Sequence, residues 1–481
     1  MTIPNTFPSD NLVPGVSHAH DLTSGSRGLV PSGRAVLFLG AKKTSGTATA
    51  DVPIQVYTEA DADAAFGAGS MLALMLRAGM RAARERGTAP AFWGAGLTPP
   101  GGGTAASNGS FAFAGTATAA GDIEFAIAGR RMIASVASGG TASAAATAVV
   151  AAVNAALAEL PGTLAAVSGT ATYTHGATGV DGNGVVLKVY KLPAGITCTV
   201  TQPSNGAGVL TYTTALTNSL NRDFNAIAIQ STTATEVTAL STHLAEAWAA
   251  TKKRWRFAFL GCRGSVATAT TLASGGNDHR IVVVAQPDAN AHPAILAAAV
   301  AAHTEAVGKP NQNFNGDQIA AIPPVDEADE VIESEIQTLL AGGCTPIART
   351  PAGRSRLVTV VTTRITDSAG NPSLDALFYE APKTLAYTTR QIDAAAARTM
   401  AGRNVDAALV RDVRSAVYAT MKELEDLEYV HNVDAHAAEI VAEPDPVNVR
   451  RIVVAYPTAP IPIANQIHGV ARLFVEAPAT A

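Results

Sequence analysis

The sequence predicts a multidomain protein of mixed α+β and α/β class. It has a split α/β middle domain, a β-rich insert, a small α+β carboxy-terminal domain and an extended arm at each end. Three observations carry this. Apolar, β-branched runs alternate with helical stripes from Asn225 to Val307, the signature of a sheet covered by helices. A segment of short alternating strands and glycine turns, 99–205, interrupts that pattern. Both ends are proline-rich, and the last strand-like piece lies beyond a proline-rich spacer that separates it from its own domain.

Residues 1–30 read as an extended arm. Pro4, Pro8, Pro14 and Gly15 break it, and Leu12, Val13 and Val16 give it an apolar grip. His18 and His20 share one face of such a strand, but no third metal ligand is near.

The first part of the middle domain spans 31–98. RAVLFLG (Arg34 to Gly40) is a buried strand and VPIQVY (Val52 to Tyr57) another. Asp61 to Arg86 reads as one helix with Ala64, Leu72, Met75, Leu76 and Met80 in its apolar stripe. Phe66-Gly67-Ala68-Gly69-Ser70 lacks the ending of a phosphate loop, so its glycines permit a turn and close helix packing. Pro99-Pro100-Gly101-Gly102-Gly103 then marks the insert, with strands FAFAG, DIEFAIAG, VVLKVYKL and TCTVTQ and one helix, Ala142 to Leu160. Asp181 and Asn183 lack the other positions of a calcium loop.

The middle domain resumes at 206–324. Strands NAIAIQ, RFAFLG and RIVVVAQ alternate with helices near Glu236 to Ala250 and His292 to Val307. Lys252, Lys253, Arg254 and Arg256 read as a solvated helix end. Pro323-Pro324 opens the carboxy-terminal domain, 325–456. There Asp326, Glu327, Asp329 and Glu330 begin a helix ending near Leu340, where acids complement the dipole. They also offer a charged face to a neighbour. LVTVVTTRIT is a strand, and Asp406 to Leu427 an amphipathic helix with Leu409, Val410, Val413, Val417, Met421, Leu424 and Leu427 at helical spacing. Val449 to Tyr456 reads as a buried strand.

The tail, 457–481, begins with Pro457, Pro460 and Pro462, which forbid a helix. Ile467, Gly469, Ala471, Leu473 and Val475 then fall on one strand face, with Val470 and Phe474 on the other. Such a strand needs a partner. Either it returns to its own sheet, which is the plainer reading of the pattern, or it adds to the sheet edge of another subunit.

Composition narrows the function. The 481 residues are 47% hydrophobic and 15% charged, enough for several cores. A net charge of -5 gives no electrostatic case for wrapping nucleic acid. No apolar run is long enough to cross a membrane, and the amino terminus lacks the pattern of a signal peptide, so folding in a cytosol is expected. Cys198, Cys262 and Cys344 form neither a zinc spacing nor a CxxC pair, and three buried thiols are expected, with a bridge between subunits left open. No catalytic motif, cofactor fingerprint or metal set stands out, so no catalytic, cofactor or metal residue is assigned.

Several stretches together resemble the contractile tail sheath family of Mu-like bacteriophages. The arm matches at Pro8-Ser9-Asp10 and Val13-Pro14-Gly15-Val16, and the most specific stretch is VPIQVYTEADADAAFGAGSMLALMLRA, Val52 to Ala78. Asn225-Ala226-Ile227-Ala228 and Glu380-Ala381-Pro382-Lys383-Thr384-Leu385-Ala386-Tyr387 follow in order. Ser17-His18-Ala19-His20 departs from the more aromatic, acidic strand of the family. The resemblance implies a non-enzymatic virion protein, made in the host cytoplasm, that stacks as hexameric rings around a tail tube. Its partners would be copies of itself, the tube protein, the baseplate and the tail terminator, with no direct nucleic-acid contact, no membrane insertion and no cofactor. The arms would add strands to neighbouring carboxy-terminal domains through Leu12, Val13, Val16, Ile467, Ala471, Leu473, Phe474 and Val475. The acidic set Asp326, Glu327, Asp329 and Glu330 is a candidate charged interface. Two rival classes remain: a carbohydrate-binding or hydrolytic surface protein using the insert, and a non-contractile array protein.

Overall fold

The computed structural model describes residues 33–231 and 233–463. Their contacts divide into a larger unit, 33–387 with 460–463, and a smaller one, 388–459.

In the larger unit the chain begins with strand β1 (Ala35–Ala41), followed by β2 (Ile54–Val56), helices α1 (Glu59–Phe66) and α2 (Met71–Arg84), and β3 (Ala91–Leu97). The single helix expected over 61–86 is thus two. Gly67 and Gly69 take φ of 88° and 68° between them, a conformation that side chains resist. α1 opens with a capping box: Asp61 N–H donates to Thr58 Oγ1 (3.1 Å) and Thr58 N–H donates to Asp61 Oδ2 (3.0 Å). Ser70 caps α2, its hydroxyl accepting from Ala73 N–H at 3.2 Å. Ser70→Ala is expected to cost about 1 kcal/mol, read as a lower urea midpoint with unchanged slope.

The insert follows: β4 (Ser110–Gly115), β5 (Gly121–Ile127), β6 (Arg130–Val136), α3 (Ala142–Asn154), β7 (Gly162–Val167), β8 (Thr170–His175), β9 (Leu187–Lys191) and β10 (Ile196–Thr201). They form two antiparallel sheets, ordered β10-β4-β8-β7 and β6-β5-β9. Phe111, Phe125, Val149, Tyr173 and Leu187 lie in a core of their own.

The chain then returns with α4 (Thr213–Ser219), β11 (Ala226–Ile229), α5 (Ala234–Trp248), β12 (Phe257–Cys262), α6 (Val266–Ser274), β13 (Ile281–Ala285), α7 (Pro293–Glu305), α8 (Glu333–Ala341), β14 (Cys344–Arg349) and β15 (Ser355–Leu357). One eight-stranded sheet results, ordered β15-β14-β13-β12-β11-β1-β3-β2. It is parallel except where β2 and β15 pair antiparallel at the edges. Alternate residues feed opposite faces. Val36 and Phe38 join the core under α2 and α7, while Leu37 and Leu39 join the one under α5 and α6.

Three expectations change here. β14 and β15, read as part of a carboxy-terminal domain, extend this sheet instead. The LVTVVTTRIT strand is only its first residue joined to Ser355–Leu357. Beyond it, buried Thr362 and Thr363 hydroxyls donate to Ala376 O (2.6 Å) and Asp278 O (3.0 Å), holding an irregular path. Arg256, read as solvated, has no exposed surface. Its guanidinium donates to the carbonyls of Ser219 (3.3 Å), Leu220 (3.4 Å) and Arg222 (2.6 Å), closing the end of α4.

α9 (Glu380–Met400) begins in the larger unit, and the division falls inside it. The smaller unit holds the rest of α9, α10 (Ala407–Asp426), and a ribbon of β16 (Val441–Pro444) and β17 (Ile452–Ala455). Asp406 caps α10 through Leu409 N–H at 2.6 Å. Of the expected stripe, Leu409, Val413, Val417, Met421 and Leu424 are buried, whereas Val410 is half-buried and Leu427, at the end of the helix, is exposed.

Candidate assembly surfaces

Open parallel sheets take ligands at the carboxyl ends of their strands. In this chain the insert occupies that place. Asp181 lies against Ser231, just past β11, whose hydroxyl donates to its carboxylate at 3.2 and 3.3 Å. Ser231 is held in turn by Tyr212, whose hydroxyl donates to Ser231 Oγ (2.8 Å) and accepts from Ser231 N–H (2.9 Å). His292, the cap of α7, places Nε2 2.9 Å from the Asp181 carbonyl, while its Nδ1 accepts from Ala294 N–H at 3.2 Å. Both ring nitrogens are therefore engaged, and neither can take a proton from Ser231. Burial and the nearby Glu236 push the Asp181 carboxyl up to about 6, against the Ser231 bond. Burial pulls His292 down to about 4 and the neighbouring His175 to about 3. The cluster joins two parts of the subunit; it is not a nucleophile–base pair.

The acidic residues are not where the sequence placed them. Glu327–Asp329 form a short 3-10 turn, and α8 begins later, with Glu333 and Glu335 in its first turn. Lys188 of β9 reaches Asp326 at 2.7 Å and Asp329 at 3.3 Å. Arg349 of β14 lies 3.5 Å from Glu327 and 4.0 Å from Glu330. All four carboxylates thus have partners within the subunit, although the Glu327 side chain is 86% exposed. Lys188 and Arg349 escaped the sequence reading because each is far along the chain from its partners.

The smaller unit presents a different surface. Val449 to Tyr456 was expected to be a buried strand. Its regular part is only Ile452–Ala455, paired antiparallel with Val441–Pro444, and Val449 and Val453 are 80% and 50% exposed. Among the described residues this ribbon pairs with no third strand. A two-stranded ribbon is marginal alone, and its open edges are templates for further strands. Behind it, Arg414 Nε donates to Ile440 O at 2.7 Å, tying it to α10.

The arm residues Leu12, Val13, Val16, Ile467, Ala471, Leu473, Phe474 and Val475, with His18 and His20, lie outside the described residues. Cys262 and Cys344 are buried and Cys198 half-buried, all as free thiols. Among the described residues, no group of three or more His, Cys, Asp or Glu could hold a metal, and no helix is long and apolar enough to cross a membrane.

Comparison with known proteins fits this architecture. No protein-family model matches the chain. The sheath tail protein Lin1278 of Listeria innocua superposes with a TM-score of 0.52 at 15% identity, over 90% of this chain and 93% of that one. The sheath complex of an extracellular contractile injection system, in its contracted state, gives 0.51 at 9% identity, over 97% and 98%. The fold is therefore that of tail sheath proteins. In sequence, the chain is 26% identical over 397 residues to the Mu-like prophage FluMu tail sheath protein of Haemophilus influenzae, covering 80% of this chain and 79% of that one. The sequence thus resembles a tail sheath protein of a Mu-like prophage, and the fold is shared with tail sheath proteins of other systems.

Proposed function

We propose that the chain is the structural subunit of a contractile tail sheath, stacking as hexameric rings around a tail tube. The observation that carries this reading is the open ribbon Val441–Pro444/Ile452–Ala455 with its exposed valines. It is an acceptor lacking strands, on a chain whose two ends read as donor strands. Arms 1–30 and 457–481 of neighbouring copies supply them through Leu12, Val13, Val16, Ile467, Ala471, Leu473, Phe474 and Val475. The prolines at 457, 460 and 462 act as a tether that lets each subunit turn while its strand stays docked.

Energy for ejection resides in the extended lattice, separated by a barrier from a better-packed contracted one. No chemical step is needed. The filled crevice at Asp181, Ser231 and His292 supports a role without catalysis. Tube, baseplate and terminator proteins are the partners. The turn 326–330, led by Glu327, is the charged contact toward a neighbour or the tube.

Deleting Val470 to Ala481 tests strand exchange. The truncated chain should fold with unchanged melting but form no ordered sheaths by electron microscopy. Normal sheaths that still contract would refute the exchange.

A further inference from the structure

The insert is attached in an unusual way. Its core residues, from Phe111 to Ile196, belong to none of the sheet's two clusters. Its joint with the α/β body is largely polar. Lys188 spans Asp326 and Asp329, Glu159 lies 3.7 Å from Arg81 of α2, and the Asp181 turn rests on Ser231 and His292. Apolar contact comes from the Gly129 turn, seated on Pro323, and from Ala177, which packs against one of the sheet's two cores. The chain enters and leaves through a narrow stem. There Thr104 N–H donates to Ala207 O and Ser107 N–H to Ser204 O, each at 3.0 Å. Gly101 and Gly102 beside it stand in open space.

We infer that the insert is a separately folded module whose seat on the body is held in part by a charge clasp, Lys188 against Asp326 and Asp329, and that breaking the clasp loosens that seat while both parts stay folded. The inference is independent of the assembly reading, because every contact in it lies within one subunit. The clasp is the part of this joint that solvent reaches, beside the buried contacts of Asp181 with Ser231 and His292. One ammonium between two carboxylates fixes β9 against the turn before α8. The three side chains are 25%, 34% and 38% exposed, so salt reaches them. At 1 M salt the screening length is about 3 Å, comparable to the contacts themselves. A hydrophobic joint would not weaken under that treatment.

The test is hydrogen exchange on the full-length chain at fixed pH. Raising sodium chloride from low concentration to about 1 M should speed exchange in 180–184 and 323–330 roughly tenfold. The strands Gly121–Ile127 and Ala35–Ala41 should not change. Lys188→Glu should give the same pattern at low salt. Adding Asp326→Lys and Asp329→Lys to it should restore protection, since the pair is then reversed. Joint exchange unaffected by salt and by Lys188→Glu would overturn the clasp, as would failure of the triple variant to recover. Loss of protection in Gly121–Ile127 together with the joint would overturn the claim of separate folding.

Discussion

Lowering the pH from 6.5 towards 4 is expected to destabilise the α/β unit steeply. Burial holds His175 and His243 at about 3, and His279, His292 and His303 at about 4, against 6.5 for the free side chain. Geometry requires the same of two of them. A ring nitrogen of His243 faces Arg256 and one of His292 accepts from Ala294 N–H, so protonation would set cation against donor at each. Nε2 of His303 accepts from Arg86 but also lies 3.2 Å from the Asp317 carboxylate, and there burial and the Arg86 charge hold the ring neutral. The unfolded chain takes up these protons near 6.5 and the folded chain only near 4 or below, so stability is full above 6.5 and falls through the window. Asp181, held at about 6, and Glu380, at about 7, oppose this, because the folded chain keeps their protons longer. Asp51, Glu85 and Glu236, raised by burial, act the same way. Each net proton is worth about 1.4 kcal/mol per pH unit, so the balance is a fall of about 1–4 kcal/mol per unit. Urea midpoints at several pH values would show it; a flat or rising profile would contradict it. His303→Gln, which keeps an acceptor and cannot ionise, should flatten the slope.

Replacing Arg256 by Met is expected to cost about 2–4 kcal/mol, although shape and volume are nearly kept. The loss comes from the carbonyls of Ser219, Leu220 and Arg222, which lose the guanidinium, although Ser219 O keeps the Arg222 N–H at 3.0 Å. Removing the desolvated charge, which burial holds down at about 10, returns part of it. The guanidinium also sits 5.6 Å from the Phe224 ring centroid, a contact Met replaces with plain packing. Lys should recover less than half, because a single ammonium cannot span three carbonyls. Chemical denaturation decides it, and a loss below about 1 kcal/mol would show the carbonyls are rehydrated.

The parts of the fold legible in the sequence were those fixed by local pattern. RAVLFLG, NAIAIQ, RFAFLG and RIVVVAQ are apolar on both faces, as strands between two helical layers must be, and they became β1, β11, β12 and β13. The stripe through Leu409 and Leu424 has one apolar face and became α10. What failed depended on distant partners. Nothing near Arg256 in sequence announces the carbonyls it serves, so its basic neighbours made it look solvated. LVTVVTTRIT has the composition of a strand, but its threonines are spent on loops at Asp278 and Ala376. The acidic turn was recognised as a charged feature and misplaced on a helix, since Lys188 and Arg349 are unforeseeable from spacing. The valines of 449–456 looked like core because β-branched runs usually are; in the subunit Val449 and Val453 are exposed and Val454 is half-buried.

Helix α7 is enclosed on nearly every side, with only Ile295 among its thirteen residues not buried. It lies under α2, where a Cβ on Gly79 would come within 3.3 Å of Ala302 and closer still to the Phe38 ring. The ribosome delivers β1, α2 and β3 first, yet their central strut arrives only after the whole insert has emerged. During synthesis the apolar side of α2 must wait uncovered while the insert, with a core of its own, finishes ahead of it. Production of this chain is thus most exposed to aggregation in that interval, and variants that slow the insert would lower yield without touching the finished molecule.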